Sequence, residues 1–236
     1  MPTSDPAPFT PVPDPRPTDA PWPEMVWPIP DGTALSGTSV RLTTLDPAAD
    51  ARELFHALDH DRVWAHVPWR PTDPESFEQF LRVRGAEPAW HLWTVRTARP
   101  VGDLPAGAVV GITSYLDVVP RDARLEIGMT LYNPGVWSTA VNPEAKLLLL
   151  QYAFEALSVG RVQLKTDVRN TRSQQAISRL GAQYEGTLRR SFRREDGTVR
   201  DSVLFSITVD DWPAVRDRLT DRLGVSAGPG PAQRAN

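Results

Sequence analysis

Eleven of the 24 prolines in this 236-residue chain lie within its first 30 positions. Proline has no amide hydrogen and fixes φ, so such a segment forms neither helix nor central strand and stays extended. The folded body must begin after it. Residues 1–33 also hold Asp5, Asp14, Asp19, Glu24 and Asp31 against Arg16 alone. Residues 1–20 read as an acidic, proline-rich tail. From about residue 21, Trp22, Val26, Trp27 and Ile29 add large apolar side chains, so this lead-in is expected to pack on the domain. Residues 225–236 (beginning Val225-Ser226-Ala227-Gly228-Pro229) read as a flexible C-terminal tail, which leaves 34–224 as one domain.

What remains has enough apolar material for a core: 40% of the chain is hydrophobic and 23% charged, close to the average for globular domains. No apolar run approaches the ~18 residues of a membrane span. Residues 1–30 lack the basic start and apolar stretch of a secretory signal. The expectation is a cytoplasmic protein with no membrane partner. The chain has no cysteine, which excludes disulfides, thiolate metal sites and a cysteine nucleophile. With only His56, His60, His66 and His91 besides, no metal is expected. The net charge is −3, and the acidic start accounts for it. The near-neutral body argues against nucleic acid as a partner.

Between the tails, period and punctuation alternate strand and helix. Strands are read at Val40–Leu45, Trp90–Arg96, Ala108–Leu116, Arg124–Tyr132 and Arg161–Asp167, with a hairpin Glu185–Arg194/Thr198–Thr208 turning at Glu-Asp-Gly. Helices are read at Pro47–Asp59, Asp73–Arg84, Asn142–Leu157, Asn170–Leu180 and Asp210–Leu223. Asp-Pro-Glu opens the second, and Gly181 closes the fourth. Three consecutive strands, then βαβα, then a hairpin describe an α/β (α+β) fold. Its central sheet is mixed and mostly antiparallel, with helices on both faces, rather than a doubly wound parallel sheet.

Two strand–helix junctions carry the chemical signal. At the first, the strand ending near Tyr132 leads through Asn133–Val141 into a helix whose N-cap is read as Asn142, with Pro143 and Glu144 following. A helix start offers free amides and a positive dipole end, which suit a phosphate. At the second, Asp167-Val-Arg169-Asn170-Thr-Arg172-Ser173 places a capping asparagine, a first-turn serine and two arginines at one edge. Together with Leu180-Gly181-Ala182 and Glu185-Gly186, the stretch from Glu126 to Arg190 resembles the coenzyme-A-binding core of the GNAT N-acetyltransferase superfamily. Within it, the pattern is similar to the branch that acetylates ribosomal-protein N-termini. The likeness runs over about 34–223 and is specific from 125 onward.

That resemblance implies acetyl-CoA as acyl donor and a primary amine as acceptor, most of all a protein N-terminal α-amine. It implies a pyrophosphate over Trp137, Ser138, Thr139, Ala140, Val141 and Asn142. The pantetheine arm would lie along Thr130, Leu131 and Tyr132, whose splayed strand edge offers unpaired amides. Asn170, Arg172 and Ser173 would complete the coenzyme site, with Ser173 facing the thiol. Glu126 is the general-base candidate, and His91 a second. The family's loop pattern, Gln/Arg-x-x-Gly-x-Gly/Ala, is replaced here by Trp137, Ala140 and Asn142. Ile177 stands where many members carry a tyrosine acid. Two alternatives therefore stay open, a small-molecule amine acetyltransferase and a catalytically weak acyl-CoA-binding module. A homodimer also stays open. Arg189, Arg190, Arg193, Arg194 and Arg200 read as a solvated hairpin cluster. Trp64, Trp69, Trp90 and Trp93 lie where the family builds its acceptor pocket.

Overall fold

A computed structural model describes residues 10–13, 23–194 and 196–225. Most of the tail read at 1–20, together with Trp22, Glu195 in the hairpin turn and residues 226–236, lies outside the described residues. Of the lead-in, Met25 and Ile29 are buried in the core and Trp27 packs against it. The Val26 amide donates to Leu157 O at 2.9 Å, while the Val26 side chain stays exposed.

The elements run β1 (Ala34–Ser36), β2 (Val40–Thr44), α1 (Pro47–Leu58), α2 (Asp61–Trp64), α3 (Pro74–Gly85), β3 (His91–Thr97), β4 (Val109–Val119) and β5 (Arg124–Tyr132). They continue α4 (Val141–Gln151), β6 (Arg161–Asp167), α5 (Thr171–Ser178), β7 (Gln183–Arg193), β8 (Val199–Thr208) and α6 (Trp212–Leu223). Local chemistry explains most of the helix starts. Asp46 accepts from the amides of Ala48 and Ala49 ahead of Pro47. Asp73 forms a reciprocal capping box with Ser76, and Asn170 accepts from Ser173 N. Each satisfies amides that the first helical turn leaves unpaired.

The eight strands form one sheet in the order β1-β2-β3-β4-β5-β6-β8-β7. Every neighbouring pair is antiparallel except β5 and β6. Apolar residues of α1, α2 and α3 gather on one face, around Leu54, Leu58, Phe77 and Leu81. Those of α4, α5 and α6 gather on the other, around Leu149, Leu150, Ile177 and Leu219. Helix α4 is buried on almost every side, since Val141, Pro143, Glu144, Ala145, Lys146, Leu147, Leu149 and Leu150 are all inaccessible. A helix apolar nearly all round belongs in the interior. Among the described residues, no helix is long and apolar enough to cross a membrane.

Three readings are corrected. The short β1 and α2 carry too little periodicity to be read from sequence. The helix read as Asn142–Leu157 is α-helical only to Gln151, and Tyr152–Ala156 continue as a π turn. That helix is not capped by Asn142 either: its N-cap is Ala140, with no side-chain cap bond, and Asn142 and Pro143 lie within the first turn. Proline fits there because a first-turn amide has no helical acceptor to lose. Thr139 holds the entry instead, donating through Oγ1 to Val136 O at 2.7 Å and accepting from Val141 N at 3.3 Å.

Candidate active site

The site begins where the sheet fails to close. Strands β5 and β6 pair only through Arg124–Arg161, Leu125–Val162 and Glu126–Gln163. Beyond that, Ile127–Tyr132 and Leu164–Asp167 diverge without pairing. A bulge sits at the parting point. Ser114 lies opposite Gly128 and Ile112 opposite Leu131, so Thr113 faces both Met129 and Thr130. Met129 has φ +46°. Bulges twist a strand and commonly border active sites.

Glu126 is the last paired residue before this gap. Its carboxylate is almost wholly buried, with 4% side-chain exposure. Oε2 accepts from Lys165 at 2.8 Å and from Gln163 Nε2 at 3.0 Å. Oε1 has no hydrogen-bond partner among the described residues and points at Gly128, where a Cβ would lie 2.9 Å away. Burial raises the Glu126 pKa, while Lys165 and Gln163 oppose the rise. Burial works against the Lys165 ammonium, yet Glu126 and Asp117 outweigh it and hold its pKa above normal. Lys165 was legible in part: on a strand, Gln163, Lys165 and Asp167 share one face. Asp167 holds a two-pronged ion pair with Arg194 at 2.7 and 2.8 Å. Against the cost of burial, Arg194 depresses the Asp167 pKa to about 2.

The loop from Trp137 to Asn142 lies at the same strand end. The Trp137 indole donates to Tyr132 O at 3.0 Å, so this carbonyl is not open for an added strand. The Arg172 guanidinium stacks 3.5 Å from the Trp137 ring centroid, and that of Arg62 lies 4.8 Å from it. Arg172 thus bridges the first turn of α5 and the loop. Ser138 takes φ +62°, the left-handed conformation that glycine adopts freely. The amides of Ser138, Ala140 and Asn142 have no partner among the described residues. The Ser173 hydroxyl likewise makes no bond there, while its amide is held by Asn170 Oδ1 at 3.0 Å.

Other candidates lie elsewhere. Thr130 turns away from the gap, accepting from Lys146 Nζ at 2.7 Å and lying 2.8 Å from Thr113 Oγ1. The Leu131 and Tyr132 side chains are buried. Only the backbone edge of these three residues is left for a ligand. His91 is two strands away, bonded to Thr44 at 3.1 Å, and burial lowers its pKa to about 4. Its position makes it a sheet residue, not a base at the gap. Trp93 is fully buried, and Trp90 lies under Arg84. Trp64 and Trp69 pack with Phe77 and Phe80 beside α3. Within the arginine cluster, Arg194 and Arg200 are only partly exposed: Arg194 pairs with Asp167 and Arg200 donates to Ser202. Among the described residues, no group of three or more His, Asp or Glu is placed to hold a metal.

The model of the GNAT acetyltransferase domain matches residues 39–183, which is more than half of the chain. The chain belongs to the GNAT family. A probable GNAT-family acetyltransferase from Chromobacterium violaceum is similar at 29% identity, covering 87% of this chain and all of that one, with a TM-score of 0.77. A candidate acetyltransferase from T. thermophilus reaches 36% identity over 84% of this chain and all of the other, with a TM-score of 0.72. A curated relative, the uncharacterized N-acetyltransferase p20 of Bacillus licheniformis, is 29% identical over 99 residues, which is 42% of this chain and 54% of p20. The chain therefore spans about half the length of that relative. Mycobacterium smegmatis RimJ, solved in complex with CoA-disulfide, shares the fold at 20% identity over 81% of this chain and 93% of its own, with a TM-score of 0.65. This GNAT domain is of the acyltransferase type, and the gap between β5 and β6 is its candidate centre.

Proposed function

We propose that this GNAT protein transfers the acetyl group of acetyl-CoA to a primary amine, with a protein N-terminal α-amine as the leading acceptor. The observation that carries the reading is the half-satisfied Glu126 carboxylate at the mouth of the gap. Oε2 is tied to Lys165 and Gln163, and Oε1 is left to accept a proton directly or through water. The pyrophosphate would take the open amides of Ser138, Ala140 and Asn142. Arg172 adds a positive charge beside them, and the pantetheine would run along the unpaired β5 edge.

In this scheme the neutral amine attacks the thioester carbonyl, forming the C–N bond. Amides on the unpaired β5 edge stabilise the tetrahedral oxyanion. The amine proton passes to Glu126. The C–S bond then breaks, and the Ser173 hydroxyl serves the departing thiolate. The weak-binding alternative rested on the altered Trp137–Asn142 loop and on Ile177 in place of a tyrosine acid. At the two lost glycine positions, Ala140 has φ −69° and Asn142 lies in the first turn of α4, so neither needs a glycine's conformation, which favours a working loop.

The test is acetyl transfer from acetyl-CoA to a panel of N-terminal peptides, lysine peptides and small amines, followed by intact mass of ribosomal proteins. Faster acetylation of peptide α-amines than of small amines is expected. Coenzyme binding without turnover on any amine would overturn the reading in favour of a binding module.

A further inference from the structure

Among the described residues, Arg200 has no carboxylate partner. Its Nε donates to Ser202 Oγ at 3.1 Å, and its guanidinium lies 5.1 Å from the Phe192 ring centroid. Among the described residues, no carboxylate oxygen comes within the 4.0 Å of an ion pair. Three nearby arginines are paired. Arg194 holds Asp167, Arg169 reaches Asp196, and Arg161 holds Glu185.

Register places Arg200 on the reacting face. Ser202 stands directly opposite Asp167, and Arg200, two residues away on β8, points to the same side. Asp167 shares that side with Lys165 and Gln163, the two partners of Glu126. Lys165 Nζ lies 5.5 Å from the Phe192 ring, so one aromatic wall joins Lys165 to Arg200. Burial lowers the pKa of His66, just beyond α2, and the charges of Asp167, Arg172, Arg194 and Arg200 bear on it as well. Burial weakens the Arg200 cation, whereas Asp167 and Glu126 support it. Lys165 already neutralises Glu126, and Arg194 neutralises Asp167. Among the described residues, Arg200 is left as a half-buried positive charge with no carboxylate in ion-pair reach, beside the candidate base.

We infer that the acceptor carries a carboxylate close to its reacting amine, received by Arg200 on the β8 side of Glu126. This rests on the acetyl-transfer reading above. The carboxylate can come from an acidic first residue of an N-terminus, or from the α-carboxyl of a free amino acid. A planar guanidinium backed by an aromatic ring suits such a group. Fixing the carboxylate there orients the neighbouring amine toward Oε1 of Glu126. The coenzyme phosphates are served elsewhere, by the loop amides and Arg172.

The test measures binding and turnover separately on the full chain with coenzyme A or acetyl-CoA. Peptides beginning with Asp are compared with those beginning with Asn, and free amino acids with their carboxamides. In calorimetry on the coenzyme-A-bound protein, the carboxylate member of at least one pair should bind about tenfold tighter or more. The pair that discriminates identifies the source. In Arg200→Ala this ratio should fall toward one, and in Arg200→Lys to an intermediate value. Equal affinities within both pairs in the parent protein overturn the inference without any variant. So does a tenfold loss of coenzyme A affinity in Arg200→Ala, which would assign the guanidinium to a phosphate. Preferential binding without turnover would sink the acetyl-transfer reading alone. Turnover without preference would sink this inference alone.

Discussion

Two buried glutamates, 18 positions apart, flank the Trp137–Asn142 loop. Glu126 lies before it and Glu144 after it, and both are 3% exposed. Glu144 is saturated: Oε1 accepts from Thr38 N at 2.8 Å, and Oε2 from Ser39 N at 2.6 Å and Val40 N at 2.8 Å. It closes the β1–β2 turn onto α4. A Cβ at Gly37 would sit 2.6 Å from its Cδ, so that turn needs glycine. Among the described residues, Glu126 has one oxygen bound and one without a partner, at a gap in the sheet. Burial is the same for both; what differs is how many donors surround them. A fully bonded carboxylate holds structure, whereas a half-bonded one keeps capacity for a proton.

The sharpest way to break this contrast is to remove each carboxylate in turn. Glu144→Ala leaves three amides without acceptors and should cost on the order of 3 kcal/mol or more of stability, read in the midpoint of chemical unfolding. A midpoint unchanged from the parent would show that water replaces the carboxylate and that Glu144 is no clamp. Glu126→Gln keeps size and most bonds, so its unfolding midpoint should hold. Turnover should fall on the order of 10²-fold, the range for loss of a general base. Activity in the parent should rise with pH, first through the raised Glu126 pKa and then through the acceptor amine near ~8. The deficit of the variant should narrow at the high end, where the amine is already neutral. Parent-like turnover of Glu126→Gln at pH 7 would make Glu126 a second structural glutamate.

The lysines extend the comparison. Lys165 answers a carboxylate, whereas among the described residues Lys146 bonds only Thr113 and Thr130, and desolvation lowers its pKa to about 7 from 10.5. Between these values the unfolded chain binds the proton and the folded one does not, so stability should rise with pH from about 7 to 10.5. The slope should approach ~1.4 kcal/mol per pH unit and flatten below that window. Lys146→Met should abolish the slope, as melting curves at stepped pH would register; an identical slope in the variant would assign it to other groups. The smallest effect belongs to the loop. Ser138→Gly relieves a left-handed serine and should stabilise by roughly 1 kcal/mol, with coenzyme A affinity retained. A loss of affinity in calorimetry would instead give the serine hydroxyl a ligand.

Much of the scaffold was legible. Arg124–Tyr132 and Arg161–Asp167 were bounded to the residue, because alternation along a half-buried strand is a nearest-neighbour signal. Asn170 was legible as a cap because its acceptor reaches an amide three positions away. Asn142 was misread by the same logic, since Thr139 and a tight turn outcompeted it. The loop departures were visible, but whether Ala140 and Asn142 could replace glycines there depended on backbone angles that no residue type reveals. Arg200 was legible as a charge and illegible as an unpaired one.

Composition, period and capping thus determined a mixed sheet, its helices and the family's junctions, since each follows from contacts within a few residues. The tertiary structure decided what the charged groups do. Glu144 meets its donors across 104 to 106 positions, Glu126 meets Gln163 across 37, and Arg194 reaches Asp167 across 27. A carboxylate or guanidinium is defined chemically by how many partners fold around it. Those partners arrive from strands whose order in the sheet differs from their order in the chain.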